Sequence, residues 1–130
     1  MKIVILGAGQ VGTSMAEILS LEANDITLID RNPNQLEGLQ DRLDIRTIIG
    51  NGPHPSILEQ AGIEDADLLL AVTDQDEVNM AACQIAHTLY RTPKKIARIR
   101  ATEYLTHPEI FCNESIPIDF IISPEQIITQ

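Results

Sequence analysis

Three glycines near the start of the chain, Gly7, Gly9 and Gly12, form the pattern G-x-G-x-x-G. The segment before them, KIVIL, is apolar enough for a short buried strand, and apolar residues at helical spacing follow them. Between a strand and a helix, this pattern predicts a loop that binds a pyrophosphate. The first glycine permits a tight turn, the second leaves room for the phosphates, and the third lets the helix pack closely. The alternative is a glycine-rich turn without a ligand.

An acidic residue, Asp30, ends the second predicted strand, 18 residues after Gly12. In dinucleotide-binding folds an acid at this place accepts hydrogen bonds from the adenosine ribose. A carboxylate there repels a 2′-phosphate, so NAD is favoured over NADP. The neighbouring Arg31 weakens this preference, because a basic side chain tolerates the extra phosphate. The alternative role for Asp30 is that of an acid at a helix N-terminus.

Two arginines, Arg98 and Arg100, alternate with apolar residues along a later predicted strand. A cation inside a covered sheet is costly unless it is paired. At the carboxyl end of a parallel strand the two side chains would point toward the ligand crevice. They would bind either a phosphate, which we favour, or acids of the segments EDAD (64–67) and DQDE (74–77).

Polar residues also follow two other predicted strands at the same edge of the sheet. Thr73 and Asp74 end the fourth strand, where a hydroxyl and backbone groups would line a cofactor cleft. Asn51 and Gly52 follow the third strand and would pass close to an adenine, with a plain turn as the alternative.

The elements that must position these residues alternate between strand and helix. Strands are predicted at residues 2–6, 25–30, 44–50, 66–73, 94–100 and 118–123. Helices are predicted at 10–19, 32–43, 54–62 and 74–90, with a further helix beginning at Ser123 and Pro124. Several strands are continuous apolar runs, which favours a parallel sheet covered on both faces. The predicted fold is therefore α/β, a Rossmann-type doubly wound parallel sheet of about six strands with helices on both faces.

Composition limits the classes of function that remain. The formal net charge of −10 argues against a nucleic acid or an anionic membrane as a general partner. The two cysteines, Cys83 and Cys112, form no CxxC pair and are expected to be reduced thiols. No apolar run is long enough for a membrane span or a signal peptide, which favours a cytoplasmic protein without direct membrane insertion.

Five segments together resemble a known family. They are ILGAGQVG, ITLIDRN, ADLLLAVTDQDEVNMAACQIA, IARIR and IDFIISPEQ. With them the chain resembles, over essentially all 130 residues, the N-terminal RCK (KTN) nucleotide-binding domains of TrkA-type regulatory subunits of bacterial Trk potassium uptake systems. The parts AVTDQDEVNMAACQIA and ARIR are the more specific ones, since ordinary dehydrogenases lack them.

The resemblance implies a ligand sensor at residues 1–130 that is a fragment of a longer chain. Such domains form dimers and assemble into a ring on the cytoplasmic face of a membrane potassium-transporter subunit. NAD(H), and also ATP or ADP at the same site, would change the shape of the ring and gate the transporter. Many relatives have an acid where this chain has Asn51, which weakens an assigned contact there.

The resemblance also implies which residues contact the nucleotide. These are Gly7, Ala8, Gly9, Gln10, Val11, Gly12, Asp30, Thr73, Asp74 and Arg98. Arg100 would be a further phosphate contact, to the nucleotide of its own or of a neighbouring subunit.

Two other functions stay open. A small NAD-dependent oxidoreductase would need a substrate pocket and an acid–base group. A single Rossmann unit offers little room for the first, and His54, His87 and His107 are expected to be structural or exposed. A structural dimer domain with a permanently bound nucleotide would be recognised by slow nucleotide exchange. No catalytic residue and no metal site is predicted.

Overall fold

The six strands of the computed structural model, which describes residues 1–123, form one parallel sheet. The strands are β1 (Lys2–Leu6), β2 (Asp25–Asp30), β3 (Arg46–Ile49), β4 (Leu68–Ala71), β5 (Lys94–Arg98) and β6 (Phe120–Ile122). Their order across the sheet is β3-β2-β1-β4-β5-β6. This is the doubly wound order of Rossmann folds, so the predicted fold class is confirmed.

The helices connect the strands on both faces of the sheet. They are α1 (Gln10–Ser20), α2 (Pro33–Leu36), α3 (Leu39–Arg42), α4 (Pro55–Gln60), α5 (Asp76–Tyr90) and α6 (Thr102–Leu105). Short 3₁₀ turns span Ile63–Asp65 and Pro108–Ile110. The helix predicted to continue from Ser123 and Pro124 falls on residues outside the described part of the chain. Among residues 1–123, no helix is both long and apolar enough to span a bilayer.

The core consists of two clusters, one on each face of the sheet. One cluster contains Val4 of β1 with Leu58 of α4 and Ala82 of α5. The other contains Ile5 of β1 with Ala16 of α1. All five side chains are fully buried. Because consecutive residues of a strand face opposite sides, β1 contributes to both clusters and lies at the centre of the fold.

The predicted helix at 32–43 is wrong in one respect, since the structure divides it into α2 and α3. Glu37 is extended and Gly38 has a φ of +78°, a conformation that a glycine adopts without strain. Leu36 and Leu39, on either side of the break, are both buried. The apolar spacing therefore predicted the buried face correctly and missed the break within it.

Candidate nucleotide-binding site

The glycine loop joins β1 to α1 at the carboxyl edge of the sheet. Gly7 has a φ of +106°, and a Cβ there would lie 2.9 Å from the backbone nitrogen of Thr73. A Cβ on Gly12 would overlap the carbonyl oxygen of Gly7. Gly9, by contrast, is exposed and would have no atom within 4 Å of a Cβ. Gly7 and Gly12 thus permit close backbone packing, and Gly9 leaves open space in front of the helix.

Asp30 ends β2 and makes hydrogen bonds with two backbone amides. Its Oδ2 accepts a 2.8 Å bond from the Ala8 nitrogen, and its Oδ1 accepts a 2.8 Å bond from the Asn32 nitrogen. The side chain therefore fixes the glycine loop to the end of β2. A carboxylate oxygen has more than one acceptor site, so both oxygens keep capacity for a ligand.

A cavity of about 310 Å³ opens beside this loop, between the ends of the central strands. Seven of the predicted site residues line it: Gly7, Asp30, Arg31, Asn51, Gly52, Thr73 and Asp74. Its volume is at the lower end of the range for small-molecule sites, about 300–1,000 Å³. It lies near the boundary between β1 and β4, where the strand order reverses and ligands bind in doubly wound sheets.

The other predicted residues of the glycine loop lie outside the walls of this cavity. Ala8 and Gly12 are buried, whereas Gly9 and Gln10 are exposed. Val11 is half-buried and packs against the core cluster beside α1. The first N–H groups of α1 have no acceptor within the helix, which leaves them available to an anion in front of Gly9.

The structure brings the two arginines near the cleft but not into its walls. Arg98 is the last residue of β5, and its buried Nε has no hydrogen-bond partner among the described residues. Arg100 lies beyond the strand, exposed, and its Nη2 donates a 2.9 Å bond to the carbonyl oxygen of Asp74. Within residues 1–123 neither arginine forms a salt bridge with the acids of 64–67 or 74–77. An unpaired buried donor is costly, and a phosphate would satisfy it.

Two residues that the sequence analysis missed connect the ends of β4 and β5. Asp76, in the first turn of α5, accepts hydrogen bonds from the backbone nitrogens of Arg100 and Ala101. Asn79, fully buried, bonds to both the nitrogen and the carbonyl oxygen of Thr73. The sequence did carry a signal for Asn79. It lies one turn after Asp76, on the face of the helix that packs against the core, and a position on that face is usually apolar.

A tyrosine attaches α6 to the same helix start. The hydroxyl of Tyr104 donates a 2.8 Å bond to Oε2 of Glu77. This bond lowers the pKa of the Glu77 carboxyl and raises the pKa of the Tyr104 phenol. The segment after β5 is therefore held by two consecutive acids of α5.

Of the three histidines, His54 alone lines the cavity within the described part of the chain. It precedes α4, and its side chain makes no capping hydrogen bond. His87 lies at a smaller cavity near the end of α5, and the exposed His107 pairs with Glu109 at 3.4 Å. No group of histidine, cysteine and acidic side chains in residues 1–123 is arranged to hold a metal ion.

Proteins with similar sequences are named for potassium uptake. The chain is 61% identical over 129 residues to the Trk system potassium uptake protein TrkA of Halomonas elongata. It is 55% identical over 130 residues to the protein of that name from Haemophilus influenzae. Each alignment covers 99% of this chain and 28% of the relative, so the chain spans little more than a quarter of these proteins.

Solved structures of low sequence identity share the fold. The TrkA-N domain of the Escherichia coli inner membrane protein ybaL superposes with a TM-score of 0.85 at 18% identity, over 98% of this chain and 90% of that one. The Shewanella denitrificans Kef C-terminal domain in its AMP-bound form gives 0.80 at 19%, over 99% and 76%. The GsuK channel bound to NAD gives 0.77 at 23%, over 97% and 21%. The model of the TrkA-N domain family matches residues 3–124, and the chain belongs to that family.

Proposed function

We propose that this domain is a nucleotide-binding regulatory module of a potassium uptake system. NAD(H), or ATP or ADP at the same site, binds in the cleft and shifts the domain between conformations that gate a membrane potassium-transporter subunit. A ligand has this effect only if it binds one conformation more tightly than the other. The observation that carries the proposal is the cavity itself. It combines the turn at Gly7 with the remaining acceptor sites of Asp30 at the reversal point of the sheet.

Each part of the nucleotide has a matching group in the cleft or directly beside it. The phosphates take the open space at Gly9 and the N–H groups at the start of α1. The adenosine ribose hydroxyls donate to Asp30, and the adenine lies against the turn at Asn51 and Gly52. The buried Nε of Arg98 supplies a charged donor for a further phosphate. This fit is supported by solved relatives of the same fold that carry AMP and NAD.

The partners are proposed from the relatives' names, from the resemblance to RCK domains and from charge. Proteins named Trk system potassium uptake protein contain this domain as 28% of their length. On the resemblance to RCK domains, we propose that the domain belongs to a homo-oligomer, a dimer that forms a ring in the longer protein. The ring lies on the cytoplasmic face of the membrane and contacts a transporter subunit. A net charge of −10 disfavours a nucleic-acid partner.

One observation favours a second candidate, a small NAD-dependent oxidoreductase. His54 lies in the cavity wall, where an acid–base group of a dehydrogenase would be needed. The regulatory function accounts for more of the site, since it also explains the two arginines beside the cleft. A domain that holds its nucleotide permanently would differ from a sensor in its exchange rate.

Calorimetric titration of the nucleotide-free protein with NADH, NAD⁺, ATP and ADP tests the proposal. We expect ATP and NADH to compete for one site. Arg98→Ala should weaken ATP about tenfold more than ADP, because a charged donor to the terminal phosphate is lost. Arg42→Ala is the matched control, since Arg42 is exposed and pairs with Glu17. Binding of no nucleotide would refute the function, and an unchanged ATP-to-ADP ratio in Arg98→Ala would refute phosphate reading by the arginine.

A further inference from the structure

The side-chain amide of Asn79 is saturated with hydrogen bonds in a fully buried position. Its Oδ1 accepts from the Thr73 nitrogen at 2.9 Å and from the Thr73 hydroxyl at 2.7 Å. Its Nδ2 donates to the Thr73 carbonyl at 3.1 Å and to the Arg98 carbonyl at 2.8 Å. An asparagine amide offers two donors and two acceptor sites, and each has a partner within hydrogen-bond distance. The shorter contact of the Thr73 hydroxyl is the one to Asn79, with the Gln75 carbonyl at 3.1 Å.

These bonds join two segments that are distant in sequence. The first is the cleft segment, Thr73–Gln75, which forms one wall of the cavity. The second is the arginine segment, Arg98–Ala101, which begins at the last residue of β5. Besides the amide of Asn79, the bond from Arg100 to the Asp74 carbonyl connects the two segments. The carboxylate of Asp76, directly after the cleft segment, also accepts from the Arg100 and Ala101 nitrogens.

We propose that Asn79 is a positioning residue that sets the place of the arginine segment relative to the cleft, and thereby the selectivity for nucleotides with different numbers of phosphates. The inference rests on the proposed function, because it assumes that the arginines meet the phosphates. Asn79 does not itself line the cavity and acts through Thr73 and Arg98.

The arrangement of Arg98 supports this role over simple packing. Its carbonyl is held by Asn79, yet its Nε is buried without a partner among the described residues. The backbone is thus held by Asn79, while the Nε is left as a donor whose hydrogen bond is not made within the described residues. Helix α5 also has Ala82, Cys83 and Ala86 fully buried against the sheet, so its attachment does not depend on an amide.

The ratio of the dissociation constants for ADP and ATP distinguishes positioning from stability. A variant that only lowers the folded fraction weakens both nucleotides equally, and the ratio is unchanged. We expect Asn79→Ala, and Asn79→Asp, which keeps the acceptor and loses both donors, to lower the ATP preference about tenfold. Thr92→Ala is the control, since Thr92 is buried just after α5 and bonds to the Ala86 carbonyl. It should lower the melting temperature and leave the ratio unchanged.

The outcomes separate this inference from the proposed function. If Arg98→Ala lowers the ratio and both Asn79 variants retain it, the positioning role is refuted and the proposed function stands. If Arg98→Ala also retains the parent ratio of dissociation constants, the arginine does not read the phosphates, and the inference is refuted as well. If both Asn79 variants are too unstable to titrate, the ratio is measured in Asp76→Asn. That variant weakens the hold on the same arginine segment and should lower the ratio in the same direction.

Discussion

The three glycines of the loop meet different physical demands at the scale of single residues. Gly12 has the Gly7 carbonyl where a Cβ would stand, and Gly7 combines a positive φ with the nearby backbone of Thr73. Gly9 has ordinary extended backbone angles and open space around it. The fold therefore requires the first and third glycines, whereas the second is required only if a ligand approaches.

This contrast yields a paired prediction. Gly12→Ala should lower the free energy of unfolding by about 3 kcal/mol, because the overlap with backbone cannot be relieved by a rotamer change. Gly9→Ala should leave that free energy within about 0.5 kcal/mol of the parent and still weaken NADH, since the methyl occupies the phosphate space. Urea denaturation gives the first quantity and calorimetry the second. Equal stability of the two variants would contradict the geometry, and unchanged NADH affinity in Gly9→Ala would contradict the phosphate position.

Much of the candidate site could be predicted at the scale of single residues, because the signals were local. The glycine pattern and Asp30 depend on residue type next to a strand end. The role of Asn79 could not be assigned in this way, although an asparagine at an apolar position was visible, since its partner Arg98 is 19 residues away and periodicity does not report on distant carbonyls. For the same reason the bond of Arg100 to the Asp74 carbonyl, rather than to a carboxylate, needed the structure.

At the scale of elements, a tyrosine joins α5 to α4. The hydroxyl of Tyr90 donates a 2.7 Å bond to Oε2 of Glu59. Burial, followed by this bond and the charge of Glu59, raises the pKa of Tyr90 to about 12 from its ordinary value of 10.0. The folded state thus holds the phenolic proton more tightly than the unfolded state does.

The sign of this shift predicts a loss of stability in alkali. The contribution of Tyr90 is complete below about pH 10 and disappears as the pH rises through about 12. Tyr90→Phe should therefore be less stable than the parent at neutral pH, and the difference should shrink over that range. Urea denaturation at several pH values measures this difference in the free energy of unfolding. Tyr104 is present in both proteins, so its own titration contributes equally to each and cancels in the difference. A difference that does not change with pH would show that the pair does not stabilise the fold through this proton.

The break between α2 and α3 shows why element boundaries were harder to predict than faces. Leucine spacing reports which side of a segment is buried, and the two-residue turn at Glu37 and Gly38 preserves that side. Strand centres were predicted well for the same reason, since apolar runs mark burial. Their ends depend on pairing with neighbouring strands, and the observed strands are shorter by up to two residues at either end.

At the scale of the whole molecule, the two cysteines differ in accessibility. Both are free thiols, with Cys112 exposed and Cys83 buried between α5 and the sheet. Burial raises the pKa of the Cys83 thiol to about 12. The thiolate is the form that reacts, so Cys83 is protected from thiol reagents both because it is buried and because it stays protonated.

Thiol labelling therefore reports global opening. An aromatic disulfide reagent at neutral pH should modify Cys112 at once and Cys83 only as the chain unfolds. NADH at about 100 times its dissociation constant should slow the second reaction about 100-fold, because it binds only the folded state. Cys112→Ser isolates the slow reaction. Fast labelling of Cys83 in the native protein would contradict its buried place, and an unchanged rate with NADH would contradict binding.

The two bonds of Asp30 have a consequence for changing cofactor preference. In the proposed site, the carboxylate that would disfavour a 2′-phosphate is also the acceptor for the Ala8 amide of the glycine loop. Replacing it by a small or basic residue, the direct way to admit NADP, leaves that amide without its acceptor. The choice between a free and a phosphorylated ribose and the conformation of the glycine loop therefore depend on the same side chain. A successful exchange of cofactor needs a second substitution that restores an acceptor for the loop.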